Sequence, residues 1–301
     1  MANWHELKYT DCRKYFSDTL NDFQSMIPMI YDIDSTDKAA EYDVSYSGVG
    51  NMKLFKGTAV KDSMIEEYKK TFEFPEFINS IDIRRKDHDD ARDKSVFNMV
   101  AEFAEGAART KEAHAAEIFN LAFTAVGEYS SEELSAGPDG KALCASDHPS
   151  VADDGYEGSN TGTLAMSPNS VEATRIAMKG ITDGRGNKSR LVMDMLLCPI
   201  GLEEIAWEII NSKGKVDTAD NNRNFHQGRY KLAVWDELTD STAWFGIDSK
   251  RMKRHLAWFN RVPIENWKKF DEDLQTLTFG VYGRWGLGFN GWRWVFGQKP
   301  A

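Results

Sequence analysis

The segment Phe77-Ile78-Asn79-Ser80-Ile81-Asp82-Ile83-Arg84-Arg85 alternates apolar and polar side chains and feeds one long helical pattern. Beyond a glycine-rich turn the pattern closes on Asp139-Gly140-Lys141-Ala142-Leu143-Cys144-Ala145-Ser146-Asp147-His148-Pro149. Val96, Val100, Phe103, Ala104, Ala107, Ala115, Ile118, Leu121, Ala122 and Val126 recur at steps of three and four, which predicts a helix over about 91–126. Asp89, Asp90 and Asp93 stand at its start, where the helix dipole favours negative charge, and Gly127 is placed to end it. With its start near Ala91 or Ser95, about 32 residues at 1.5 Å each make a rod of roughly 48 Å, far longer than the usual three turns. A strand, a straight strut and a turn in fixed order suit a protein whose work is mechanical.

Outward from this frame, residues 1–41 mix aromatic and acidic side chains without clean periodicity. Tyr9, Tyr15, Phe16, Leu20 and Phe23 support a short amphipathic helix, and the arm holds too many apolar groups for a disordered tail. Its expected partner surface lies elsewhere, on another subunit included. Residues 42–76 read as two strands around a glycine-bearing tip (Gly48, Gly50, Gly57), a projecting hairpin. A lone hairpin is marginal in water, so one of this length needs a surface to lie on.

The C-terminal half alternates helix and strand. Ser167-Pro168 is an N-cap followed by proline at the first helical position, with the helix running to Gly180. Arg190–Cys198 reads as an apolar strand stopped by Pro199, and Leu202–Asn211 as an amphipathic helix. Lys213–Gly228 is polar and flexible in character, and strands are expected at Tyr230–Trp235 and Thr242–Ile247. From Leu274 to Gly297 the chain is sheet-like, with a turn at Gly286 and Gly288, and these strands are expected to return beside the long helix.

At 301 residues, 41% hydrophobic and 28% charged, the chain has ordinary globular composition and can bury a large core. A net charge of −10 argues against a protein built chiefly to grip nucleic-acid phosphates. Cys12, Cys144 and Cys198 are few and scattered, so no disulfide framework is expected, and no apolar run is long enough for a membrane span. Gly184-Arg185-Gly186-Asn187-Lys188-Ser189 lacks the order of a phosphate-binding loop and reads as a solvent-facing turn. Cys144, Asp147 and His148 lack a second ligand pair at zinc spacing, and His148 reads as a turn residue. The six histidines do not group into an acid–base pattern. No catalytic residue, cofactor site or metal site is therefore assigned. Eight of the nine tryptophans lie at or beyond Trp207, and packing accounts for them better than base or sugar stacking.

Four segments together resemble a known family: Glu73-Phe74 through Arg84-Arg85 ahead of the long helix, Ala142–Pro149, Leu238-Thr239-Asp240-Ser241-Thr242-Ala243-Trp244-Phe245, and Gly291-Trp292-Arg293-Trp294. In this order they are similar to major capsid proteins of tailed bacteriophages, the Mu-type major head subunit above all. The resemblance covers most of the chain from about Tyr42 onward. It implies an α+β chain with the Hong Kong 97-like capsid fold. Residues 1–41 would be an N-terminal arm, 42–76 an extended loop lying over a neighbour, 77–164 and 271–301 a peripheral domain with the spine helix, and 165–270 an axial domain. The implied function is non-enzymatic self-assembly into hexamers and pentamers of an icosahedral head enclosing double-stranded DNA.

The implied partners are further copies of the chain, then scaffold, portal and decoration proteins, with nonspecific contact to packaged DNA and none to membrane. The implied location is the virion, after assembly in the host bacterial cytoplasm. Lys53, Phe55, Lys56 and Lys61 in the loop, and Tyr9 and Phe16 in the arm, are the candidate inter-subunit contacts. Two other readings are an encapsulin-like compartment around protein cargo, and a tryptophan-rich enzyme binding carbohydrate or nucleotide.

Overall fold

The computed structural model describes residues 4–57, 61–124, 137–152, 155–214 and 223–300. In chain order the elements begin with α1 (Trp4–Asp22), α2 (Ile27–Ile30), β1 (Asp32–Ser35), β2 (Glu41–Tyr46), β3 (Glu66–Phe72) and β4 (Glu76–Arg84). The turn α3 (Arg85–Asp89), the long α4 (Asp93–Asn120), β5 (Thr161–Gly162), α5 (Pro168–Gly180), β6 (Met195–Cys198) and α6 (Glu203–Asn211) follow. The chain finishes with β7 (Lys231–Val234), β8 (Trp244–Ile247), α7 (Ser249–His255), β9 (Leu256–Asp271), β10 (Thr276–Phe289) and β11 (Val295–Gln298).

The strands form a four-stranded sheet in the order β1-β9-β10-β4, a five-stranded sheet in the order β5-β11-β8-β6-β7, and the separate β2–β3 ribbon. Helix α4 joins the two sheets. At 28 residues it is a rod of about 42 Å. Val96, Val100, Phe103 and Ala104 pack with α1 against Ile83, Leu277 and Phe279 of the four-stranded sheet. One end further on, Ala115, Ile118 and Phe119 sit in a core shared with Leu197, Phe245 and Ile247 of the five-stranded sheet and Trp258, Trp285 and Leu287 of the other. Neighbouring strand residues point to opposite faces, so Leu196, Trp244 and Phe296 face away into a third core under α5 and α6.

Strand β4, the spine helix and α5 stand where the sequence places them, and the Ser167–Ser170 capping box is formed. The spine starts at Asp93, because Ala91 in a left-handed conformation (φ 53°) separates α3 from α4, and it ends at Asn120, ahead of the expected Val126. Beyond Asn120 only a turn is described, and the expected stop at Gly127 lies outside the described residues, as does most of Lys213–Gly228. The Asn120 side chain fixes the helix end, donating to the Glu237 carbonyl at 3.0 Å and accepting from the Thr239 amide at 2.9 Å.

Four expectations are corrected. Residues 4–22 form a full helix lying on its own chain, not a short helix awaiting another subunit. Tyr9, Cys12, Phe16 and Leu20 make a continuous stripe once Cys12 counts as apolar, and the stripe meets α4 and β10. Gly286 and Gly288 make no turn and lie inside β10. A Cβ on Gly286 would stand 2.2 Å from the Glu73 carbonyl, and one on Gly288 would stand 2.6 Å from the Phe72 ring. These glycines let another segment approach closely. Residues 256–270, expected in the second unit, lie in strand β9 of the four-stranded sheet, and residues 295–298, expected in the first, are strand β11 of the five-stranded one. Finally, His148 is fully buried instead of sitting at a turn surface.

Candidate functional site

Strands β2 and β3 pair antiparallel from Glu41↔Phe72 to Tyr46↔Glu66, with an irregularity between Val44 and Tyr46. The root of this ribbon is seated firmly. Phe72 and Phe74 are buried with their rings 5.3 and 6.0 Å from that of Phe259, against the backbone that Gly286 and Gly288 leave bare. Glu67 accepts from Ser150 Oγ at 2.8 Å and faces Arg293 at 3.7 Å. Burial pushes the Lys70 ammonium down to about 8, against the opposing pull of the Asp139 charge.

Beneath the root, His148 Nδ1 lies 2.6 Å from Asp139 Oδ2, and Nε2 lies 3.2 Å from Asn160 Oδ1. The imidazole stacks on Trp292 with ring centroids 4.3 Å apart. Asn160 Nδ2 donates to the carbonyls of Leu143 and Val295, and Oδ1 accepts from the Ala145 amide. The resembling segments at 142–149 and 291–294 are thus locked together through one buried polar network.

The tip, described over residues 47–57 and 61–65, carries the opposite character. Met52, Leu54 and Phe55 are 101%, 83% and 73% exposed, and Lys53, Lys56 and Lys61 are exposed around them. Apolar groups are exposed together on a projection that the other described residues leave uncovered, and such patches normally mark contact sites. One side of the tip is fastened. Arg185 reaches both oxygens of Asp62 at 2.9 and 3.0 Å and donates to the Ser63 carbonyl, and Asn51 Nδ2 donates to Asn187 Oδ1 at 2.7 Å. The Arg185 guanidinium, with the Gly50 amide, holds the Asp62 carboxyl below its usual range.

Lys53, Phe55, Lys56 and Lys61 are therefore gathered on one exposed tip. Tyr9 and Phe16 are not there. Phe16 is 1% exposed, between the rings of Phe103 (6.0 Å) and Phe279 (5.9 Å), and Tyr9 Oη donates to the Asn266 carbonyl at 3.3 Å. Both side chains are engaged within their own chain, so Phe16 in particular is a core residue and offers no surface to a neighbour. Sequence reasoning missed Met52, Leu54, Asp62 and Arg185. The run Met52-Lys53-Leu54-Phe55 was a usable signal for the first two, whereas the Asp62–Arg185 pair has no local signature. Among the described residues no three metal-capable side chains converge, and no helix is long and apolar enough to cross a membrane.

A long spine across two sheets, a projecting β-ribbon and a buried C-terminal strand define a Hong Kong 97-like shell subunit. The family model for phage capsid protein matches residues 79–297, and the chain belongs to that family. No curated protein matches the sequence. Among solved structures, the capsid of Myoviridae phage XM1 superposes with a TM-score of 0.54 at 12% identity over 92% of this chain and 92% of its own. The capsid of cyanophage P-SCSP1u gives 0.60 at 8% identity over 92% and 88%. The virus-like particle from Pyrococcus furiosus gives 0.51 at 10% identity over 96% and 98%.

Proposed function

We propose that the chain is the major head subunit of a tailed phage, building hexamers and pentamers of an icosahedral shell around double-stranded DNA. The observation that carries this reading is the uncovered apolar tip of the β2–β3 ribbon, with Lys53, Phe55, Lys56 and Lys61 as its contact groups to a neighbouring copy. The unit formed by α4 and the four-stranded sheet serves as the peripheral domain. The five-stranded sheet with α5 and α6 serves as the axial domain, where Ile205 and Trp207 remain exposed on α6. Burying an aromatic or aliphatic side chain contributes about 1.5–3 kcal/mol. Repeated over every subunit of a closed lattice, such modest contacts sum to a stable shell. Reactive chemistry is not needed for this work. The virion is the proposed location, with assembly in the host cytoplasm and scaffold, portal and decoration proteins as further partners.

Light scattering on purified protein, wild type against Phe55→Asp, tests the reading. Wild type is expected to form large particles and the variant to remain as subunits or single capsomers with an unchanged circular dichroism spectrum. Equal assembly by both would refute the role of the tip. The likeness to the Pyrococcus furiosus particle supports one alternative, a compartment filled with protein cargo. Nucleic acid protected from nuclease inside particles from infected cells supports a head, and a protein filling supports the compartment.

A further inference from the structure

The turn between α5 and β6 makes more contacts than a plain connection needs. Asp183 Oδ1 accepts from the amides of Arg185 and Asn187 at 2.9 and 2.8 Å, and the Asp183 amide donates to the Asn187 carbonyl at 2.8 Å. Gly186 supplies the left-handed residue that closes the turn, with φ 78°. The result is a rigid platform from which Arg185 and Asn187 project toward the ribbon tip. The tip answers with Asp62, the Ser63 carbonyl and Asn51. Asp62 is itself held in place by the Gly50 amide. The approach is close enough to constrain the backbone: Gly48 has φ 87°, and a Cβ there would stand 2.8 Å from Asp183 Oδ2. Two segments 122–136 residues apart are thus joined by four hydrogen bonds.

This contact leaves Met52, Leu54 and Phe55 uncovered, so it does not mask them. It removes freedom instead. Ordering backbone at the moment of docking costs conformational entropy, and a stretch already aimed beforehand avoids part of that cost. We infer that the Asp183–Asn187 turn is a clasp, and Arg185 a positioning residue, that pre-organises the tip so its apolar face is presented to a second copy of this chain. The inference rests on the proposed role of the tip. The contact is ionic and exposed, so its effect on each subunit is modest and weakens as salt rises.

The test measures the critical concentration for assembly of the full chain by light scattering at low and high salt. The variants are Arg185→Glu, Asn187→Ala, the double variant Arg185→Glu/Asp62→Arg, and Phe55→Asp. Arg185→Glu is expected to raise the critical concentration about three- to tenfold at low salt without moving the melting temperature of unassembled protein. Asn187→Ala should act in the same direction and more weakly, and it carries the test if Arg185→Glu does not fold. The double variant should recover part of the loss, and a loss and recovery at constant melting temperature of the unassembled protein is a result that a purely structural role for Arg185 would not produce. Wild-type assembly by Arg185→Glu and Asn187→Ala, alongside a defective Phe55→Asp, would overturn the clasp while leaving the tip's role intact. Failure of the double variant to recover would also overturn it. Wild-type assembly by Phe55→Asp would remove the tip's role and the clasp together.

Discussion

The indole N–H of Trp285 donates to Nδ1 of His114 at 3.0 Å, joining β10 to the spine helix across 171 residues of sequence. The bond requires a lone pair on Nδ1, hence a neutral imidazole. Phe77 stacks on the same indole, with centroids 4.1 Å apart and planes within 4°. The spine, β4 and β10 therefore meet at one buried point.

A pH dependence follows from that neutral imidazole. Burial pushes His114 down to about 4, whereas an unfolded histidine titrates near 6.5. Between those values the unfolded chain binds the extra proton. The contribution is fully present above about pH 6.5 and is lost as pH falls toward about 4, by about 3 kcal/mol in all. Urea unfolding of the unassembled subunit at pH 7 and pH 4.5 should show this loss, and His114→Gln should flatten it. An identical pH slope in the variant would contradict the assignment.

The two phenylalanines proposed together as contacts should separate cleanly. Phe16→Ala removes a buried ring between Phe103 and Phe279 and is expected to destabilise the subunit by about 3–5 kcal/mol. Phe55→Ala removes a ring that is 73% exposed and should change unfolding free energy by less than about 0.5 kcal/mol. Chemical denaturation of each unassembled variant measures the contrast.

Gly286→Ala should act at the ribbon root. The added Cβ would press on the Glu73 carbonyl at 2.2 Å and on the Phe74 ring, both part of the segment linking β3 to β4. A loss of about 1–3 kcal/mol is expected. Because the strain falls on the segment that carries the ribbon, proteolysis between β3 and β4 should also accelerate. Unfolding curves and limited proteolysis report the two effects separately.

Ser167→Ala should cost about 1 kcal/mol, since the Ser167 side chain accepts from the Ser170 amide and Ser170 Oγ in turn accepts from the Ser167 amide. Thermal melting checks this, and Ser167→Asp should retain most of the stability.

What the sequence made legible was local. The alternation in β4, the three-and-four periodicity of α4 and the Ser167-Pro168 cap each belong to one segment and need no partner to be recognised. Strand β1 is four residues long and exposed throughout, with Ile33 its one apolar side chain, and β9 is only half-buried over much of its length and contains Pro263, so neither shows a clean alternation. Their strand character comes from pairing: Asp32 with Ala257, and Phe289 with Leu256. Gly286 and Gly288 read locally as a turn because glycine serves both bends and close approaches, and only the neighbouring Phe72 and Phe74 distinguish the two. The crossing of β11 into the five-stranded sheet depends on Val295 and Phe296 facing two different cores, a choice no local pattern records. At the candidate site, the lysines and Phe55 were visible as a composition. Arg185 reads locally as part of a solvent-facing turn because its partner lies 123 residues away.

Electron microscopy of the purified full-length protein is the most direct test of the central claim. Closed shells, with density for each β2–β3 tip resting on an adjacent copy, are the predicted result. A population of single folded subunits that forms no closed particle at any concentration, with the tip lying on its own body alone, would contradict it.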